Sequence, residues 1–124
     1  MTDSNPFVWN EIPVTDMTRA KVFYSAVLGV EISVAPFGPG TTMGFFPMDQ
    51  TKSGSGGALV LNERFKPTKG GVLPYFSSSD IDAQLAKVTK AGGTVLLPKT
   101  SIGEHGFIGH FIDSEGNVIG LHAR

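Results

Sequence analysis

The chain has 124 residues, 40% of them hydrophobic, with 10 Lys and Arg against 11 Asp and Glu, a net charge of -1 and no cysteine. That length suits one domain burying roughly two-thirds of its unfolded surface, the balanced charge without a basic cluster argues against a nucleic-acid partner, and the missing cysteine excludes disulfides, thiolate nucleophiles and Cys-ligated zinc. The opening MTDSNPF lacks the basic start and apolar run of a signal peptide, and no apolar stretch reaches the ~20 residues of a membrane span, so a soluble, cytoplasmic protein with no membrane partner is expected.

From Phe7 to Val14 aromatic and β-branched residues predict a strand. Asp16 then caps a helix whose Ala20, Phe23, Tyr24, Val27 and Leu28 fall on one face, and Gly29 stops it. Three shorter strands follow, near Glu31–Ala35, Thr42–Met48 and Gly57–Asn62, separated by PFGPG and DQTKSGSG. After the connector ERFKPTKGG the pattern recurs: a strand over Val72–Ser78, a helix capped by Asp80 with Ile81, Leu85 and Val88 on one face, and strands near Thr94–Pro98, Phe107–Ile112 and Asn117–His122. Asp16 and Asp80, Gly29 and Gly93, and Asp49 and Asp113 each stand 64 positions apart, which predicts two copies of one βαβββ module. One α+β domain over 1–124 is expected, with module one at about 6–62, a linker at 63–71 and module two at about 72–124.

The segments IPVTDMTRAKVFYSAVLG, DIDAQLAKVTKAGGTVL and FIDSEGNVIGLH resemble the vicinal oxygen chelate superfamily, the group of glyoxalases, bleomycin-resistance proteins and extradiol dioxygenases. GGALV, LLPKTSIGEHGF and GNVIGLH look most like its branch of predicted enzymes related to lactoylglutathione lyase. The resemblance implies two modules forming paired curved mixed sheets with a central cup and the helices outside. It also implies, for metal-dependent members, His or Glu ligands on the first and fourth strands of each module.

Carried onto this chain, those ligand places fall on Trp9, Leu73, Gly57 and Gly120, none of which supplies a donor that replaces metal hydration. No metal or other cofactor is therefore expected. Residues two apart share a face of a strand, so Glu11, Tyr75, Leu59 and His122 come next along the cup. Glu11 is the candidate base, with Tyr75 or His122 as donor. Trp9, Gly57, Leu59, Leu73, Phe107, Gly120 and the turn residue His105 are the candidate ligand contacts, and His110, opposite Phe107 and Gly109 by alternation, reads as structural beneath a helix. Gly120 is expected to leave open room in the last strand.

The function these residues suggest is binding of a small organic molecule without a metal, with its conversion left open. The alternatives are a metal-dependent lyase or isomerase similar to lactoylglutathione lyase, using Glu11 and His122 as substitute ligands, and a drug-sequestering binder of the resistance type. A homodimer is expected, because a chain this small leaves sheet edges that need covering.

Overall fold

The structure, a computed structural model, describes residues 5–124. Module one comprises β1 (Trp9–Pro13), α1 (Met17–Leu28), β2 (Ser33–Pro36), β3 (Thr42–Phe45) and β4 (Gly56–Leu61). Module two comprises β5 (Tyr75–Ser77), α2 (Ile81–Lys90), β6 (Thr94–Ser101), a single 3-10 turn at Gly103–His105, β7 (Phe107–Ile112) and β8 (Val118–Ala123). Each forms a four-stranded mixed sheet, ordered β1-β4-β3-β2 and β5-β8-β7-β6, in which the first and fourth strands run parallel. The α+β class and the two βαβββ modules are as the sequence predicts.

Both helices start as their caps dictate: Asp16 accepts from the Arg19 N–H and Asp80 from the Ala83 N–H, each at 3.0 Å. Gly29 ends α1 in the left-handed conformation at φ 66°. In α2 that conformation belongs to Gly92, at φ 100°, and not to Gly93. Gly93 answers a different need, since any Cβ there would press on the Ile112 carbonyl, Val88 and Phe23.

The helices pack on each other, and one apolar core runs through both modules from Ile12, Phe23 and Tyr24 to Ile81, Leu85, Phe111 and Leu121. Phe23 meets Phe111 at 6.0 Å and Tyr24 meets Phe76 at 6.0 Å between ring centroids. The modules are joined further by a polar clasp. Glu115 accepts from the Thr15 and Asp16 N–H groups at 2.9 Å and from Arg19 Nε at 2.7 Å, while the Asn117 amide donates to the Pro13 carbonyl at 2.8 Å. Burial pushes the Glu115 carboxyl up, but the Arg19 guanidinium and the backbone donors outweigh it and hold its pKa at about 2, against an ordinary 4.5. Burial raises the Tyr24 phenol well above its usual range, and the Asp113 carboxylate that accepts its proton adds to the rise.

Candidate functional site

Strand alternation and the core fix which side chains face the helices. Ile12, Leu59, Phe76, Phe111, Ile119 and Leu121 turn toward α1 and α2, so Trp9, Glu11, Ala58, Val60, Tyr75, His110, Gly120 and His122 turn away from them. This second face, free of helices, is where the candidate site lies.

Three expected contacts in the fourth and seventh strands, Gly57, Leu59 and Phe107, prove to be on the other side. The parallel register pairs Glu11 with Ala58 and Trp9 with Gly56, one residue off the expected alignment, which moves Gly57 and Leu59 to the helix side. Leu59 is buried in the core, and a Cβ on Gly57 would meet the Asn10 backbone. Phe107 also packs on the helix-side core, whereas His110 stands on the open face and not beneath a helix. Gly109 explains the orientation: a Cβ there would come within 3.0 Å of Ile81 and 3.2 Å of Leu85, so its bare side must face α2. Leu73 precedes β5 and lies outside any strand.

The open face of module two is organised by three residues aligned across adjacent strands. Tyr75 on β5 is the register partner of Gly120 on β8, and Gly120 that of His110 on β7. The Tyr75 side chain folds over Gly120, places its hydroxyl 2.6 Å from His110 Nε2 and sets its ring 5.5 Å from the imidazole in an edge-on arrangement. A Cβ at position 120 would collide with that ring. The room expected at Gly120 is therefore occupied, and glycine is what permits the occupant.

Next to this row His122 donates from Nε2–H to the His105 carbonyl at 2.7 Å, since a carbonyl only accepts. His105, expected as a ligand contact, thus contributes its backbone, while its imidazole is exposed. Phe76, Ser77, Ile102 and Ile108 complete with Tyr75 and His122 an open, largely apolar cavity of ≈ 430 Å³. A second cavity of ≈ 290 Å³ lies along the seam where Asn10 and Ile12 of β1 approach Tyr75 and Phe76 of β5. Tyr75 borders both.

On module one the open face carries a small apolar cluster of Met43, Ala58 and Val60 backed by Phe45. Trp9 packs on Phe45 at 6.4 Å and donates its indole N–H to Glu11 Oε2 at 3.1 Å. Met48 and Trp9 cover Gly56 as Tyr75 covers Gly120. Glu11 borders two cavities, neither of which contains Tyr75 or His122, so the expected base and its expected donors do not share a concavity.

Among the described residues no three His, Asp or Glu side chains come together to hold a metal. The positions facing Glu11 and Tyr75 across the strand pairs are Ala58 and Gly120, which offer no donor atoms. The ligand set implied for metal-dependent relatives does not fit these residues.

The sequence matches the family model of the Glyoxalase/Bleomycin resistance protein/Dioxygenase superfamily over residues 7–121. A glyoxylase-like domain-containing protein of Didymella fabae is 32% identical over 117 residues, covering 92% of this chain and 90% of that protein. CFP32 of Mycobacterium tuberculosis is 28% identical over 117 residues, and the match covers 91% of this chain but only 43% of that longer protein. Among solved structures, TnmS3, an antibiotic binding protein from Streptomyces, is 26% identical with a TM-score of 0.67, covering 99% of this chain and 98% of its own. Glyoxalase I from Zea mays is 18% identical with a TM-score of 0.69, covering 95% of this chain and 46% of its own.

Proposed function

The chain belongs to the Glyoxalase/Bleomycin resistance protein/Dioxygenase superfamily, and from that premise we propose that it binds a small, largely apolar organic compound on the helix-free face, without a catalytic metal. The observation that carries this reading is the row Tyr75–Gly120–His110. Its two proton-bearing groups satisfy each other over a bare stretch of strand, beside a cavity of ≈ 430 Å³ whose apolar walls include Ile102 and Ile108. Concave, mostly apolar sites with a few polar groups are the usual form of an organic-ligand pocket, and Ser77 and His122 are the polar groups available here.

Binding is favoured over lyase chemistry on two counts. Glu11 is engaged by the Trp9 indole and is separate from the cavity that holds Tyr75 and His122. The antibiotic binding protein TnmS3 resembles this chain over nearly its whole length, which supports a binder of the sequestering kind. A homodimer is part of the proposal: β2 and β6 end their sheets unpaired, and Phe7 and Val72, at 82% and 92% exposure, offer apolar surface for a second copy to cover.

Titration calorimetry of a panel of polycyclic aromatic compounds, run on protein stripped with chelator, tests the reading. At least one compound is expected to bind, and Ile108→Asp to abolish that binding in a folded protein. Affinity that disappears on stripping and returns with nickel or zinc would favour the metal-dependent lyase instead. Light scattering at micromolar concentration checks the dimer, which a particle of only 13.1 kDa would contradict.

A further inference from the structure

The turn after β4 builds a pocket of its own on the helix-free face of module one, and Asn62 organises it. The Asn62 carbonyl accepts from the Phe65 N–H at 3.1 Å, its side-chain oxygen accepts from the Arg64 N–H at 2.8 Å, and its amide donates to the Thr41 hydroxyl at 2.7 Å. The turn so fixed holds Arg64, Phe65 and Lys66 beside Pro13 and Val60, and with Glu11 they enclose an open cavity of ≈ 360 Å³. Val60 is buried and the Phe65 ring is exposed, so the floor and one wall are apolar. Among the described residues neither Arg64 nor Lys66 has a carboxylate within ion-pair distance, and the Arg64 guanidinium lies 5.9 Å from the Phe65 ring centroid.

We infer that this pocket is an anion subsite, taking the carboxylate of an amphipathic aromatic compound between Arg64 and Lys66 with the ring against Phe65, Val60 and Pro13. Among the described residues the two cations have no carboxylate partner, and the cavity they line holds a single carboxylate, Glu11, one oxygen of which already accepts from the Trp9 indole. The guanidinium fork matches a carboxylate in geometry as well as charge. An adjoining apolar wall lowers the local dielectric and strengthens the attraction. The inference goes beyond the proposed function, because this pocket shares no residue with the cavity of Tyr75, Ile108 and His122: it is a second site on the same face, for a compound that is anionic as well as apolar.

Calorimetric titration with naphthoate and with naphthylmethanol, the same ring without the charge, tests it. Naphthoate is expected to bind about tenfold more tightly, with a preference that shrinks as salt is raised. The double variant Arg64→Gln, Lys66→Gln should bind both compounds alike, and Glu11→Gln should widen the preference. All three positions are exposed, and circular dichroism checks that each variant folds. Equal binding of both compounds by the unaltered protein, or a preference that survives in the double variant, overturns the subsite while leaving small-molecule binding in place. Binding of neither compound also overturns it, and together with a blank aromatic panel it overturns both readings.

Discussion

The link between the third and fourth strands differs sharply between the two modules, although each begins with an aspartate 64 positions from the other. In module two, Asp113 is buried and closes a tight turn, accepting from the Glu115 and Asn117 N–H groups at 2.9 Å, with Gly116 at φ 100°. The residues of that turn clasp the start of α1 and the end of β1. In module one, Asp49 is exposed and its carboxylate accepts only from Thr51, and the loop behind it borders the seam cavity with Ser53, Gly54 and Ser55. A duplicated position has thus become a fastener in one copy and part of a cavity rim in the other. The repeat keeps its fold while dividing stability and access between its halves.

Removing the fastener should produce the largest effect. Glu115→Ala leaves the N–H groups of Thr15 and Asp16, just before α1, without their acceptor and Arg19 without its ion-pair partner. With part of the Arg19 pairing screened by solvent, a loss of roughly 2–3 kcal/mol is expected by urea denaturation. The pH dependence has a definite sign. A carboxyl held at about 2 when folded and near 4.5 when unfolded contributes stability that is fully present above 4.5 and is lost as pH falls toward 2. The thermal midpoint of the unaltered protein should decline across that window more steeply than that of Glu115→Gln. Equal slopes would remove Glu115 from the account.

Tyr24→Phe probes the same clasp one layer deeper. It deletes the hydroxyl that donates to Asp113 Oδ2 but leaves the ring, and the Asn117 amide still reaches that oxygen at 3.1 Å. The expected cost is about 1–2 kcal/mol, smaller than that of Glu115→Ala because one donor remains. A cost above that of Glu115→Ala would place the main coupling in the core instead of the turn.

Helices, caps and the two-module plan were legible in the sequence because each rests on local signals: Asp16 and Asp80 as caps, the spacing of Phe23, Tyr24 and Val27, and glycine after the last turn. The faces of β4 and β7 were harder. Gly56–Leu61 is apolar or bare on both sides, so alternation alone does not say which side meets a helix, and a one-residue change in pairing reverses every assignment. Gly109 was the available clue for β7, since a glycine among Phe107, Ile108, His110 and Phe111 marks close approach of another element. The roles of His110 and Glu115 depend on partners 35 and about 100 residues away, which no periodicity encodes. Arg64 and Lys66 sat in what reads as a connector, and only the turn set by Asn62 turns that connector into a pocket wall.

Gly120→Ala carries the comparison to the open face, where Tyr75 covers Gly120 and Met48 with Trp9 covers Gly56. The new methyl forces the Tyr75 ring off the strand and breaks its contact with His110. Tyr75 is 45% exposed and can swing into solvent, so stability should fall by only about 1 kcal/mol. Binding of an aromatic compound in the adjoining cavity should change much more, because Tyr75 forms one of its walls. Unaltered binding in a folded Gly120→Ala protein would move the ligand site off module two.

The smallest effect is expected at Asp49, and it is the direct control for Asp113. The Thr51 hydroxyl and N–H that hold the Asp49 carboxylate below its usual pKa are themselves exposed in the loop, so water replaces the lost contacts in Asp49→Ala. No resolvable shift in thermal midpoint should follow, as for most surface substitutions. What should change is local order: without the carboxylate nothing on the side chain closes the Asp49–Thr51 turn, and amides of the loop up to Ser55 should exchange faster with deuterium while those of β3 and β4 do not. Asp113→Ala, at the matching place, should instead accelerate exchange in α1 and β8 together, because its turn carries the contacts to both. If Asp49→Ala loosens β4 as well, the module-one loop is a fastener too, and the division of labour between the copies fails.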